Sequence, residues 1–245
     1  MFSFRDSHTT VERSKSVATG STVPAEGVVL VGVLEGGVEK VKPATGAASE
    51  KVVGFSKLDN ESLTFNVKVE SVQVPAVSPY VVKLTHGSIA GTGPSTYDVR
   101  VQPATGSDYV QDGSGGHPIT LEFKVSDAAG GELTFHSSNA GVVLKVYYKY
   151  NLTALEASQI VPGVRSVNNT ASAILNACVA MGGTGEIYTK EYDVTKDYST
   201  GTLKTLAGGK LTIGGSGTDV SALMRVIKLP DATDAHLGVA INVAI

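Results

Sequence analysis

GGVEKVKPATGAASEKVVGFSKLDN, residues 36–60, holds two adjacent glycines, a short alternation, a Pro-Ala-Thr-Gly turn, a polar loop and then Val-Val-Gly-Phe. Glycine-rich stretches of this kind serve two ends. One cradles a phosphate where a loop feeds a helix N-terminus; the other folds a strand back on its neighbour. Here the glycine pair is followed by VEKV, whose apolar and charged residues alternate with the period of a strand. A phosphate cradle requires a helix at that point, so the stretch is read as sheet. Gly36-Gly37 and residues 43–46 become turns, and Gly54 a bulge or a place of close backbone approach.

The same pattern runs outward in both directions. GVVLVGVLEGG (27–37) reads as an apolar strand closed by its glycines, and SLTFNVKVESVQV (62–74) alternates over a long half-buried strand. Leu63, Phe65, Val67 and Val69 share one face of it; Thr64, Asn66, Lys68 and Glu70 share the other. Pro75 and Pro79 mark a boundary. Beyond it YVVKLTH, TYDVRVQ, ITLEFKV, ELTFHSS and GVVLKVYYKYNL are short strands between Gly/Ser/Pro turns, the spacing of a sandwich. In the last of these, Val142, Leu144, Val146, Tyr148 and Tyr150 form one face; Val143, Lys145, Tyr147 and Lys149 form a wetter one. SDYVQDGSGGHP (107–118) is the longest irregular stretch, expected at the surface. Thr153 can cap a short helix over TALEASQIV (153–161), and SAILNACVAM (172–181) is either a glycine-capped helix or a buried strand.

The final segment echoes the first. TGTLKTLAGGKLTIGGSGTDVSALMRVIKLPD (200–231) repeats the order of strand, Gly-Gly, alternating strand, glycine-rich loop and closing strand, so Gly208-Gly209 aligns with Gly36-Gly37. The chain is therefore expected to be all-β with little helix: β-barrel-like modules at both ends, a central β-sandwich-like domain and an extended N-terminal arm. The expected divisions are the arm (1–22), a first module (23–74), the central domain (75–152), a connecting segment (153–185) and a second module (186–245).

Composition narrows the function. Apolar residues make up 42% of the 245 and charged residues 18%, a folded rather than a disordered balance. The net charge of −3 comes without any basic tract, so nucleic acid is not an expected partner. No apolar run nears the span of a bilayer, and the N-terminus lacks the apolar core of a secretory signal, so neither membrane nor export is expected. The one cysteine, Cys178, excludes an intrachain disulfide and reads as a small buried hydrophobe of a chain made in a reducing compartment.

No catalytic constellation emerges, and no enzyme is expected. Gly209-Lys210 is followed by Leu211, not by the Ser or Thr of a phosphate-binding loop. Gly214 to Thr218 misses the last glycine of a nucleophile elbow. The five histidines are scattered. Asp231, Asp234 and His236, or Asp193 and Asp197, can be imagined around a cation, but their spacing suits ordinary turns better, so no metal and no cofactor are expected.

VKPATGAASEKVVGFSKLDN (41–60) resembles the head-decoration, or capsid cement, proteins of tailed phages; residues 147–163 and 186–231 resemble phage virion structural proteins in a looser way. The likeness extends over about half of the chain, which carries a middle domain that the short cement proteins lack. It implies a virion structural protein made in the bacterial host cytoplasm and placed on the capsid exterior. There it would bind the major capsid protein, bridge neighbouring subunits and associate with copies of itself, stabilising the expanded head. The polar arm is the natural contact, because an extended segment can add a strand to a neighbouring sheet. Within it Phe2, Phe4 and Val11 offer apolar anchors, and Arg5 and Arg13 offer partners for carboxylates. A tail-tube or baseplate protein is the alternative. An adhesin or carbohydrate-binding module would need aromatics in a groove, and the chain has no Trp.

Overall fold

The computed structural model describes residues 3–5, 11–23, 27–57, 65–114, 116–153, 156, 176–181 and 183–243. Its elements are nearly all strands. The arm contributes β1 (Ser3–Arg5) and β2 (Val11–Ser16). Then come β3 (Val29–Glu35), β4 (Val38–Pro43), β5 (Val52–Lys57) and β6 (Phe65–Gln73). The middle of the chain holds β7 (Val81–Lys83), β8 (Val99–Pro103), β9 (Val110–Gln111), β10 (Glu122–Asp127), β11 (Glu132–Phe135), a 3-10 turn at Ser137–Asn139 and β12 (Val143–Asn151). The rest supplies β13 (Asn176–Met181), β14 (Gly183–Thr189), β15 (Leu203–Thr205), β16 (Leu211–Ile213), β17 (Thr218–Asp219), β18 (Met224–Lys228) and β19 (Leu237–Val243). The all-β expectation holds. The helix expected over 153–161 falls almost wholly outside the described residues, and the ambiguous run 172–181 is a strand where it is described.

These elements form two compact units. One gathers residues 1–63, 154–230 and 236–245; the other gathers 64–153 with 231–235.

The contiguous unit is a sandwich. Its sheets have the orders β7-β11-β10-β9 and β6-β12-β8, and they meet at an isolated bridge between Val101 and Tyr109. One core lies between them: Val82, Phe123, Leu133 and Phe135 from the first sheet pack with Val99, Val101, Leu144, Val146, Tyr148 and Tyr150 from the second. Each such large side chain, fully buried, contributes about 1.5–3 kcal/mol over exposure. The aromatics fit edge to face or tilted, with Tyr109 and Phe135 centroids 6.4 Å apart at 67°.

Three expectations change here. First, β6 closes the first module in the sequence reading, yet it pairs residue for residue with β12, from Phe65↔Asn151 to Gln73↔Val143, and so lies in the sandwich. Its face with Lys68 and Glu70 is the one opposite Tyr148 and Val146. Because β6 is a sheet edge, the Glu70 carboxylate escapes the core by accepting the Thr85 amide and hydroxyl. Second, the wetter face of β12 is exposed at Val143, Lys145 and the terminal Asn151, but Tyr147 and Lys149 are 7% and 9% exposed. Their polar ends are accommodated locally. The Arg100 guanidinium stacks 4.7 Å from the Tyr147 ring centroid and pairs with Asp108, while Lys149 Nζ sits 3.4 Å from the Phe65 centroid. Third, the stretch 107–118 is not irregular throughout, since β9 within it joins β10 in parallel.

The other unit carries three sheets, ordered β1-β14-β19-β18, β2-β13-β5-β3-β4 and β16-β15-β17. The five-stranded sheet curls until its ends meet. Val17 bridges Val41 in parallel, and the Ala18 amide donates to the Val41 carbonyl at 2.8 Å, so β2 closes against β4. Inside this barrel-like ring lie Val23, Val28, Leu30 and Val41, with Val17 and Val53 against them. The ring thus draws on the arm, the first module and the connecting segment together.

The glycine pairs explain both echoes and differences. Gly36 and Gly37 have φ of +60° and +78° at the two centre positions of the β3–β4 hairpin, with Glu35 opposite Val38. That is the backbone a two-residue primed turn demands. In both glycine-pair segments the strand before the pair is central: β3 lies between β4 and β5, and β15 between β16 and β17. Gly209, however, sits at a crowded spot. A side chain there would come within 2.4 Å of Val28 and 2.5 Å of the Val29 carbonyl, and Gly209 exchanges hydrogen bonds with Val29 and Ala44. The two ends of the chain, whose mutual packing the sequence leaves open, share backbone contacts inside one unit.

Candidate functional site

The arm is a second strand laid along residues 176–188. β1 pairs antiparallel with β14, Ser3↔Tyr188 to Arg5↔Glu186, and β2 pairs antiparallel with β13, Val11↔Met181 to Ser16↔Asn176. Both halves run the same way along one partner segment, with a one-residue offset between them: six steps in the arm, from Arg5 to Val11, match five in the partner. Four of the five arm residues singled out from sequence therefore stand on two described strand pairs, Phe4 and Arg5 on β1 and Val11 and Arg13 on β2. Phe4 is opposite Ile187, Arg5 opposite Glu186, Val11 opposite Met181 and Arg13 opposite Val179. Phe2 lies outside the described residues. Among the described residues β1 is the outermost strand of its sheet, whereas β2 is flanked by β13 and, at its end, by β4.

Polar side chains lock that closing edge. Lys15 Nζ reaches Glu39 Oε2 at 2.6 Å, and Glu35 Oε2 accepts the Thr19 amide and hydroxyl and pairs with Lys40. The hydrogen bond from Lys40, then those from Thr19, hold the Glu35 carboxyl below its ordinary range; the bond from Lys15 does the same for Glu39.

The opening loop also binds an anion, but one of its own. Glu50 turns back into residues 43–50, where its carboxylate accepts the Thr45 amide (2.9 Å), the Thr45 hydroxyl (2.8 Å) and the Gly46 amide (3.1 Å). Backbone amides converging on a carboxylate make an anion nest. Thr218 Oγ1 donates to the Ala47 carbonyl at 2.5 Å, fastening the loop to β17. The amides a phosphate would use are occupied, in keeping with a structural loop.

The candidate cation ligands are turn-formers in the same manner. Asp231 Oδ1 accepts the Thr233 and Asp234 amides, Asp193 Oδ1 those of Thr195 and its hydroxyl, and Asp197 Oδ1 the Ser199 amide. Among the described residues no group of three His, Cys, Asp or Glu is placed to hold a metal. His86 stacks on Tyr150 with centroids 4.2 Å apart, and His136 accepts the Ser138 amide ahead of the 3-10 turn. Burial raises the Tyr148 and Tyr198 phenols, and both hydroxyls are engaged: Tyr148 accepts the His86 amide, and Tyr198 donates to the Leu211 carbonyl.

Sequence reasoning passed over one feature. Flanking the primed turn, Leu34 and Val38 are 77% and 60% exposed on opposite faces of the hairpin, Leu34 opposite Glu39 and Val38 opposite Glu35, the two carboxylates that pair with Lys15 and Lys40. The signal was present in Gly36-Gly37: the residues beside a hairpin turn project beyond the body that buries the rest of the strands. No protein-family model, curated protein or solved structure matches the chain.

Proposed function

We propose that the chain is a virion structural protein of a tailed phage, a cement protein that binds the outer capsid surface and bridges neighbouring major capsid proteins. The observation that supports it best is the arm. Among the described residues β1 stands at a sheet edge, with β14 on one side, and a neighbouring extended segment can add to its other side by main-chain pairing. Phe4 and Arg5 lie on this strand and are the first contacts to test, followed by Val11 and Arg13 on β2 and by Phe2. Leu34 and Val38, exposed on opposite faces of the hairpin end, each offer a small apolar contact that repetition over a lattice would multiply. The likeness of residues 41–60 to head-decoration proteins supplies the partner.

The test is direct. Purified protein is mixed with expanded capsids that lack it, the capsids are pelleted, and bound copies and capsid melting temperature are measured. Saturation at a fixed ratio with a raised melting temperature is expected, and Phe4→Ala with Arg5→Ala should cut occupancy at least tenfold. Absence of binding, with assembly of the free protein into tubes or rings, would replace this reading with the tail-tube or baseplate one.

A further inference from the structure

We propose that the sandwich carries a self-association surface: the corner formed by Val110, Ile119 and Leu121, which meets the same corner of a second copy of this chain about a two-fold axis. The proposal concerns contacts between copies and stands independently of what the protein coats.

Backbone bonds build the corner. β9 runs parallel to β10 with Val110 beside Glu122, and the Val110 amide donates to the Leu121 carbonyl at 2.9 Å. Just before β10 the Glu122 amide donates to the Ile119 carbonyl at 3.0 Å, which makes residues 119–122 a tight turn. The Glu122 carboxylate accepts the Ile119 amide in return, and the Thr120 and Ser138 hydroxyls meet at 3.3 Å, so the turn is held on two sides. On this pinned frame Val110, Ile119 and Leu121 are 65%, 63% and 52% exposed. Leu121 is the telling residue. It is third in the turn with φ of +66°, a place such turns give to Gly or Asn. A leucine there is strained, and half exposed it recovers little of that strain by burial. What it adds over asparagine is apolar surface, and backbone strain kept at a surface points to a contact made beyond the fold.

Two features select a second copy as the occupant. The charges beside the corner are already answered: Arg100 pairs with Asp108, Lys124 favours the Asp112 carboxylate, and Glu122 bonds the Ile119 amide. None of these is left to choose a charged partner, whereas an apolar corner is complementary to its own copy. The size also fits. Three side chains offer a few hundred Å², well under the roughly 800 Å² per partner of a stable interface. A two-fold contact uses each residue twice, which gives a weak dimer that many copies held close together would strengthen.

Sedimentation velocity on the full-length protein, from about 10 µM to about 1 mM, provides the experiment. The native chain should dimerise weakly over this range. Leu121→Asn should raise the dimer dissociation constant about tenfold or more, because both copies lose the side chain. Asparagine tolerates the left-handed backbone better than leucine, so the denaturant midpoint, measured dilute, should hold or rise. Loss of association without loss of fold is a result that a structural role for Leu121 would not give. Should Leu121→Asn lower the midpoint, Val110→Thr, which keeps a β-branched side chain on the strand, decides in its place by the same weakening. Leu34→Ser with Val38→Ser, on the β3–β4 hairpin, should leave dimerisation unchanged. A native chain that is monomeric across the whole range overturns the proposal. So does dimerisation that survives both Leu121→Asn and Val110→Thr, or that only the hairpin variant abolishes.

Discussion

The sandwich and the ring-bearing unit solve the same problem with different parts of the chain. The sandwich is built almost entirely from residues 64–153 and fills its centre with aromatics: Tyr109, Phe123, Phe135, Tyr148 and Tyr150. The other unit assembles strands from the arm, the first module and the last third; one cluster within its ring is made of valines and one leucine, while Phe55, Ile187, Tyr198, Leu211 and Leu237 are also buried in the unit. The sandwich centre is a cluster of aromatics, whereas the other unit combines buried aliphatic and aromatic side chains with close glycine approaches and clamped loops. The two should therefore fail in different ways.

The largest effect is expected from Phe123→Ala. Phe123 is 1% exposed in the sandwich core, and truncating it should cost about 3–5 kcal/mol. Hydrogen exchange should report lost protection in β10 to β12 with β3 to β5 unchanged; equal loss in both would erase the contrast. Next comes Gly209→Ala. Its added carbon meets Val28 and the Val29 carbonyl in a left-handed backbone, and a penalty of about 2–4 kcal/mol is expected. Gly36→Ala, in open space at φ +60°, should cost about 1 kcal/mol. Denaturant midpoints compare the two, and equal shifts would show that close approach is not what Gly209 supplies. Glu50→Ala removes the carboxylate from its nest and should cost about 1 kcal/mol, with Glu50→Gln intermediate. The smallest effect is that of pH. Glu35 and Glu39 titrate below their ordinary range in the folded chain, so their contribution is present above the unfolded carboxylate range and disappears as pH falls through the depressed folded values. Amide protection factors in β2 should fall on acidification ahead of those in β12, and Lys15→Met should diminish that difference.

Much of the local structure was legible. Alternation identified β6 and β12, the paired glycines located the primed turn, and Pro75 lies just beyond the end of β6. What alternation cannot supply is a partner. It showed that β6 has two faces but not that β12 would take it into the sandwich. It could not choose between helix and strand for residues 172–181, because that choice rests on flanking by β2 and β5. Burial of Tyr147 and Lys149 was illegible for a related reason: it depends on Arg100, Gln102, Asp108 and Phe65, brought in from other strands. Within the candidate site, the arm was identified as extended, but the segment it pairs with lies too far along the chain for any local pattern to announce.

That distance orders events during synthesis. The pairs from Ser16↔Asn176 to Ser3↔Tyr188 join residues 160 to 185 positions apart, whereas β6 and β12 close over far fewer. Loops that long form late and slowly. As the chain leaves the ribosome, the sandwich strands are complete before β13 exists, while β2 to β5 wait with an open ring and an uncapped edge. A nascent chain stalled before residue 176 would present that edge to its neighbours on a polysome, the window in which chaperone protection matters most.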